Sequence, residues 1–160
     1  MDLNGSPPAL PPSQWLDRAL ASGYGAARTA FDAQPFLLID LEAREALARG
    51  DSERLAGWLQ HQPCPVIGLG AGAEDRALAE ACDVIVDSRQ RLASMLDNIG
   101  RAPLAAMTLV QVLRQTRDMP VAGALTLESL AYSALQAGPE FKRWSAAHPP
   151  APGRVSGDPA

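Results

Sequence analysis

The chain is predicted to be α/β, with a small, mostly parallel sheet and crossover helices followed by a helical C-terminal half. Three observations carry that prediction. Short apolar runs stand at Phe36 to Leu41, Val66 to Leu69 and Val84 to Val86. They are too short for independent helices and show no polar alternation, as expected of strands covered on both faces. A helical pattern separates each run from the next, and strands joined through a helix pair in parallel with a right-handed crossover. After Ser88 no strand pattern recurs, and apolar residues follow helical spacing as far as Ala147.

With 160 residues, 47% of them hydrophobic and 20% charged, the chain can bury one sizeable core and has no room for a second full domain. Eight of its 14 prolines lie at the ends: Pro7, Pro8, Pro11 and Pro12, then Pro149, Pro150, Pro152 and Pro159. They predict solvated tails at 1–13 and 148–160 around a folded unit at 14–147, the second tail having the composition of an interdomain linker. A net charge of -4 and the lack of any Lys/Arg cluster argue against a nucleic-acid partner. No apolar run approaches the roughly 20 residues of a membrane span, and the N-terminus carries no basic and apolar leader pattern. Cys64 and Cys82 have no second Cys or His at metal-ligand spacing and read as small buried hydrophobes. The expected location is the cytoplasm.

Taken in order, Trp15, Leu16, Leu20 and Tyr24 form an i, i+4 stripe interrupted by Gly23 and Gly25, so the helix is expected to end near Ser22. Gly50-Asp-Ser-Glu53 reads as an N-cap with an acidic first turn, and Leu55, Trp58 and Leu59 make the apolar face of the same helix. The stretch from Pro63 to Ser88 organises the rest. Val66 to Leu69 meets a turn containing Gly68, Gly70 and Gly72; a short Ala/Leu-rich helix comes next, and then Val84 to Val86. Both strand ends and the glycine turn fall on one edge of the sheet, where parallel sheets hold small molecules. Gly68, Gly70, Ala71 and Gly72 are therefore the candidate substrate-binding residues. Further on, Leu92, Met95, Leu96 and Ile99 form one helical face, and Leu104, Met107, Val110 and Leu113 another. Leu127, Leu130, Ala131, Ala134 and Leu135 form a third, stopped by Gly138-Pro139 in the manner of a C-cap. A last short helix covers Pro139 to Trp144.

Three of these segments, Phe36 to Leu41, Pro65-Val-Ile-Gly68 and Ala77-Leu-Ala-Glu-Ala-Cys-Asp-Val-Ile-Val86, resemble the enoyl-CoA hydratase/isomerase (crotonase) superfamily. Pro103-Leu-Ala-Ala106, Leu109-Val-Gln-Val-Leu-Arg114, Ala124-Leu-Thr-Leu-Glu-Ser129 and Gly138-Pro-Glu-Phe-Lys-Arg-Trp144 are similar to its closing helices. The resemblance implies a truncated crotonase-like domain in an acyl-CoA pathway, whose closing helices lie at subunit contacts. It also implies an oxyanion hole of two backbone N–H groups, one in a turn after the first strand and one at a glycine-rich helix start. The first turn is replaced by Glu42-Ala-Arg-Glu-Ala-Leu47, and Glu74 and Asp75 occupy the glycine positions of the second. A carboxylate there opposes a developing oxyanion. Only Arg89 to Ala102 separates the third strand from the closing helices, so the family's stretch of catalytic carboxylates has no counterpart.

Among other candidates, Glu128 and Glu140 read as solvated, and His61 and His148 lack a placed nucleophile or carboxylate. Ser88, Ser94, Ser129 and Ser133 lack a nucleophile-elbow context. No catalytic residue, metal ligand or cofactor is assigned. The leading expectation is a protein without catalysis of its own, acting as partner or N-terminal domain of an enoyl-CoA hydratase/isomerase. The alternative is a small active enzyme of that family with unidentified catalytic residues. A third reading takes Gly68-Leu-Gly-Ala-Gly-Ala73 with Asp87 as a dinucleotide fingerprint, against which Glu74 and Asp75 would face the pyrophosphate. The expected partners are a second copy or a crotonase-family subunit, with acyl-CoA bound at most weakly. Leu109 and Val112 lie off the main stripe of their helix and Leu125 off that of the next, so the closing helices are apolar on more than one face and predict an oligomer.

Overall fold

The computed structural model describes residues 7–22, 28–43, 47–70 and 75–149. Its centre is a three-stranded, all-parallel sheet in the order β1-β2-β3, made of Leu37–Asp40, Val66–Leu69 and Val84–Val86. Leu37 pairs with Val66, Ile67 with Val84 and Leu69 with Val86. Helix α2 (Arg49–Gln60) joins β1 to β2, and α3 (Arg76–Ala81) lies between β2 and β3. The α/β expectation therefore stands at the level of strands, their order in the chain and their parallel pairing.

Successive strand residues point to opposite faces, and each face builds its own core. On one, Leu37, Ile39 and Val66 pack with Trp15 and Leu16 of α1 (Pro12–Ser22), Leu55, Trp58 and Leu59 of α2, and Leu78 and Ala81 of α3. The Trp15 indole donates to the Leu38 carbonyl across 3.1 Å, which satisfies its one polar atom inside the core. On the other face, Phe36, Leu38, Ile67 and Val86 meet Leu92, Leu96 and Ile99 of α4 (Arg89–Arg101). That is the α4 stripe expected from periodicity.

Three helices complete the chain: α5 (Pro103–Thr116), α6 (Val121–Ala137) and α7 (Pro139–Ala147). Val110 is the one buried residue of α5, and α6 and α7 have none. Several expectations need correcting. Leu113 and Leu130, placed on core-facing stripes by their spacing, are 60% and 65% exposed, because the sheet offers these helices no further surface. Helix α2 starts two residues before Asp51, with Ala48 as an N-cap that makes no side-chain bond. Gly138 has φ -79 instead of a left-handed cap, since it ends α6 and begins α7 at once. The proline-rich start joins the fold from Leu10 onward: its N–H donates to Leu38 O and its carbonyl accepts from Asp40 N–H, so it covers the outer edge of β1. Tyr24, Gly23 and Gly25 lie outside the described residues.

Candidate functional site

The edge expected to hold a ligand is where the strands end at Asp40, Leu69 and Val86. Gly70 stands there with φ +148, a region that favours glycine, and a β-carbon on it would sit 2.9 Å from the Glu42 side chain. Gly68 lies inside β2, where a β-carbon would meet Leu41 Cδ1 at 2.5 Å. Its absent side chain thus makes room for Leu41, and Gly68 packs the core instead of facing a ligand. Ala71, Gly72 and Glu74 lie outside the described residues.

Backbone donors decide what this edge can do. The Leu41 N–H donates to Leu69 O at 2.9 Å, the Gly70 N–H to Val86 O at 3.0 Å, and the Glu42 N–H to Asp40 Oδ1 at 3.0 Å. All three are committed within the fold, and none is left to meet an oxyanion. At the start of α3 the Asp75 carboxylate accepts from Leu78 N–H at 3.2 Å, so the helix carries its own anion. With six residues and that cap, α3 gives the dinucleotide reading no anion site. Asp87, the ribose contact of that reading, lies 3.9 Å from Arg91 on the exposed surface.

The opposite edge of the sheet holds a cluster that sequence reasoning missed. Arg114, the one charged residue of α5, reaches back with Nε to Asp83 Oδ1 (2.8 Å) and Nη2 to Asp83 Oδ2 (2.6 Å). Its remaining hydrogens go to the carbonyls of Gln62 and Cys64, and Asp83 also accepts from Val66 N–H at 2.7 Å. Both side chains are 16% exposed. Every polar atom of the pair has protein partners, so the arrangement locks α5 to the ends of β2 and β3 and is not poised for proton transfer. A lone charge in an otherwise apolar helix was the available signal.

Glu140 also departs from expectation. It is half-buried, and its two carboxylate oxygens accept from Leu104 N–H (2.8 Å) and Ala105 N–H (2.9 Å), capping α5 from α7. Glu128 is exposed as expected. His61 Nδ1 lies 2.6 Å from Gly57 O, and His148 stacks on Trp144; both sit at helix ends. Ser88 caps α4 by accepting from Arg91 N–H. Burial lifts the Cys64 thiol to about 11 and the Cys82 thiol to about 12, so neither is a thiolate nucleophile at neutral pH. Among the described residues no group of three His, Cys, Asp or Glu side chains could hold a metal ion, and no helix is long and apolar enough to cross a membrane.

An open groove of about 660 Å³ lies elsewhere, between β3, α4 and the start of α5. Val86, Met95, Ile99 and Leu109 wall it, with Asn98 and Arg91 on its α4 side. Compared with known family models, curated proteins and solved structures, the chain finds no match in any of the three.

Proposed function

We propose that this chain is a crotonase-like protein of acyl-CoA metabolism without hydratase activity of its own, serving as partner or N-terminal domain of an enoyl-CoA hydratase/isomerase in the cytoplasm. The observation that carries the reading is the state of the ligand-side sheet edge. Acyl-CoA chemistry of this class needs N–H donors converging on one point outside the strands. The described N–H groups of Leu41, Glu42 and Gly70 are instead spent on Leu69, Asp40 and Val86. Two thiols kept protonated by burial fit a reducing compartment. Leu113, Leu130 and Trp144, exposed on α5, α6 and α7, offer apolar surface to a partner subunit.

The purified chain should hydrate a short enoyl-CoA no faster than buffer, because the sequence replaces both oxyanion turns and each such donor is worth a factor of about 10² or more. A spectrophotometric assay of the enoyl thioester, run with a competent hydratase as reference, measures this. Turnover that vanishes in Glu140→Gln or Glu128→Gln would overturn the reading in favour of a small active enzyme.

A further inference from the structure

We propose that the groove between β3, α4 and α5 receives helix α6 of a second copy of this chain, and that the contact is reciprocal. It goes beyond the acyl-CoA reading and does not depend on it.

The sheet treats its two edges differently. Leu10 covers the outer edge of β1, whereas the outer edge of β3 has no strand beside it among the described residues, and Ile85 at its middle is 41% exposed. The groove beside β3 is apolar apart from a polar strip along α4, and Arg91 is the one charged residue lining it. Among the described residues the Arg91 guanidinium makes a 3.9 Å contact with Asp87 in which both side chains are mostly in water, an attachment of little strength.

Helix α6 has the matching features. It carries a single charge, Glu128, which forms no ion pair among the described residues. Val121, Leu125, Glu128 and Tyr132 succeed one another at steps of four, three and four, so they share one face. Val121 is 75% exposed, Leu125 60% and Tyr132 61%. Along α4, Arg91, Met95, Asn98 and Ala102 line the groove at the same steps. With the helices antiparallel and Glu128 against Arg91, Leu125 falls beside Met95 and Val121 beside Asn98. The contact pairs the one charge of each surface and buries the apolar residues on either side of it.

Area favours a second copy over a small ligand. Each copy of a two-fold pair contributes one groove and one α6 face, where Ile85 is 41%, Leu109 57%, Val121 75%, Leu125 60% and Tyr132 61% exposed. At roughly 150 Å² each they open on the order of 400 Å², about half the roughly 800 Å² per partner of a standard interface. A molecule filling the groove would leave α6 in water. A two-fold pair covers both grooves and both α6 faces at once, and it closes on itself.

Sedimentation equilibrium of the purified chain, without acyl-CoA, from about 1 to about 100 µM spans the expected affinity range. The expected mass is twice 16.9 kDa. Arg91→Glu and Glu128→Arg should each weaken association about tenfold or more by setting like charges together, and the double exchange should restore it. Circular dichroism checks folding; should Arg91→Glu fail that check, Glu128→Arg alone, exposed on α6, carries the charge test. In parallel, Met95→Cys mixed with Leu125→Cys should give an oxidised heterodimer, Cys64 being buried and Cys82 half-buried, both with thiols kept protonated. A monomer throughout, reversals without effect, a double exchange that fails to restore affinity, or no cross-link would each overturn the proposal. Because no acyl-CoA is present, these outcomes are separate from the hydration assay.

Discussion

Helices α2 and α6 invite comparison because hydrophobicity misleads about both. The 12 residues of α2 include Arg49, Asp51, Glu53 and Arg54, yet five residues are buried, Leu55 and Leu59 completely. The 17 residues of α6 include one charge and none is buried. The difference is the sheet. Strands β1 and β2 offer α2 a ready apolar layer, and a narrow stripe of side chains suffices to bind it there. Helix α5 adds Met107, Ala106 and Val110 to what is left of the sheet's cover, and α6 and α7 then find only one another, α5 or another chain to pack on. Burial in this molecule tracks the supply of a second surface and not the hydrophobicity of the helix.

Arg114 ties the two regions together by side-chain hydrogen bonds, so breaking that junction should have the largest effect. Arg114→Ala takes two donors from the Asp83 carboxylate, which keeps the Val66 N–H, and removes the side-chain donor of Cys64 O, while Gln62 O keeps Gln111 Nε2; removing one partner of a pair whose side chains are 16% exposed costs about 3 kcal/mol, the low end for a buried pair. Denaturant unfolding should show a loss of that order. Arg54→Ala, which breaks an exposed i, i+3 pair with Asp51, should change stability by less than about 0.5 kcal/mol. Similar small losses from both variants would mean that the helical half is held by something other than this pair.

How much of the fold was legible depends on which interactions are local. The three strands could be read to within a residue or two because each is a short apolar run between breakers, and α4 because Leu92, Leu96 and Ile99 repeat at helical spacing on a covered face. The stripes assigned to α5 and α6 had the same spacing, but periodicity reports which residues share a face, not whether anything lies against it. Arg114 with Asp83 and Glu140 with Leu104 join residues 31 and 36 apart, and no short-range pattern encodes such pairs. Of the four candidate binding residues, Gly68 and Gly70 are explained by Leu41 packing and by a positive φ; Ala71 and Gly72 lie outside the described residues.

A matched pair of truncations tests the contrast between the regions directly. Leu59→Ala in α2 empties part of a fully buried site and should cost about 3 kcal/mol. Leu130→Ala in α6, measured in dilute solution, should stay within about 0.5 kcal/mol, as surface substitutions do. The pair is read from unfolding midpoints at fixed slope. A large loss from Leu130→Ala that persists on dilution would show that α6 packs against its own chain.

The smallest expected effect concerns Glu140, which ties α7 to the start of α5. Pro103 occupies the first turn of α5 and has no N–H to satisfy, so Leu104 and Ala105 present the exposed donors there, and both are taken by one carboxylate 35 and 36 residues further on. A negative charge at that end also opposes the positive pole of the helix. Glu140→Ala removes both acceptors and should cost about 1–2 kcal/mol, in the range of a lost N-cap. Glu140→Gln keeps an acceptor but loses the charge, and should cost about half as much. Hydrogen exchange gives the local readout: the Leu104 and Ala105 amides should exchange faster in both variants, while those of Ile39 and Ile67 in the sheet keep their protection. If the two α5 amides stay protected without the carboxylate, another group caps the helix, and α7 is held to α5 by packing alone.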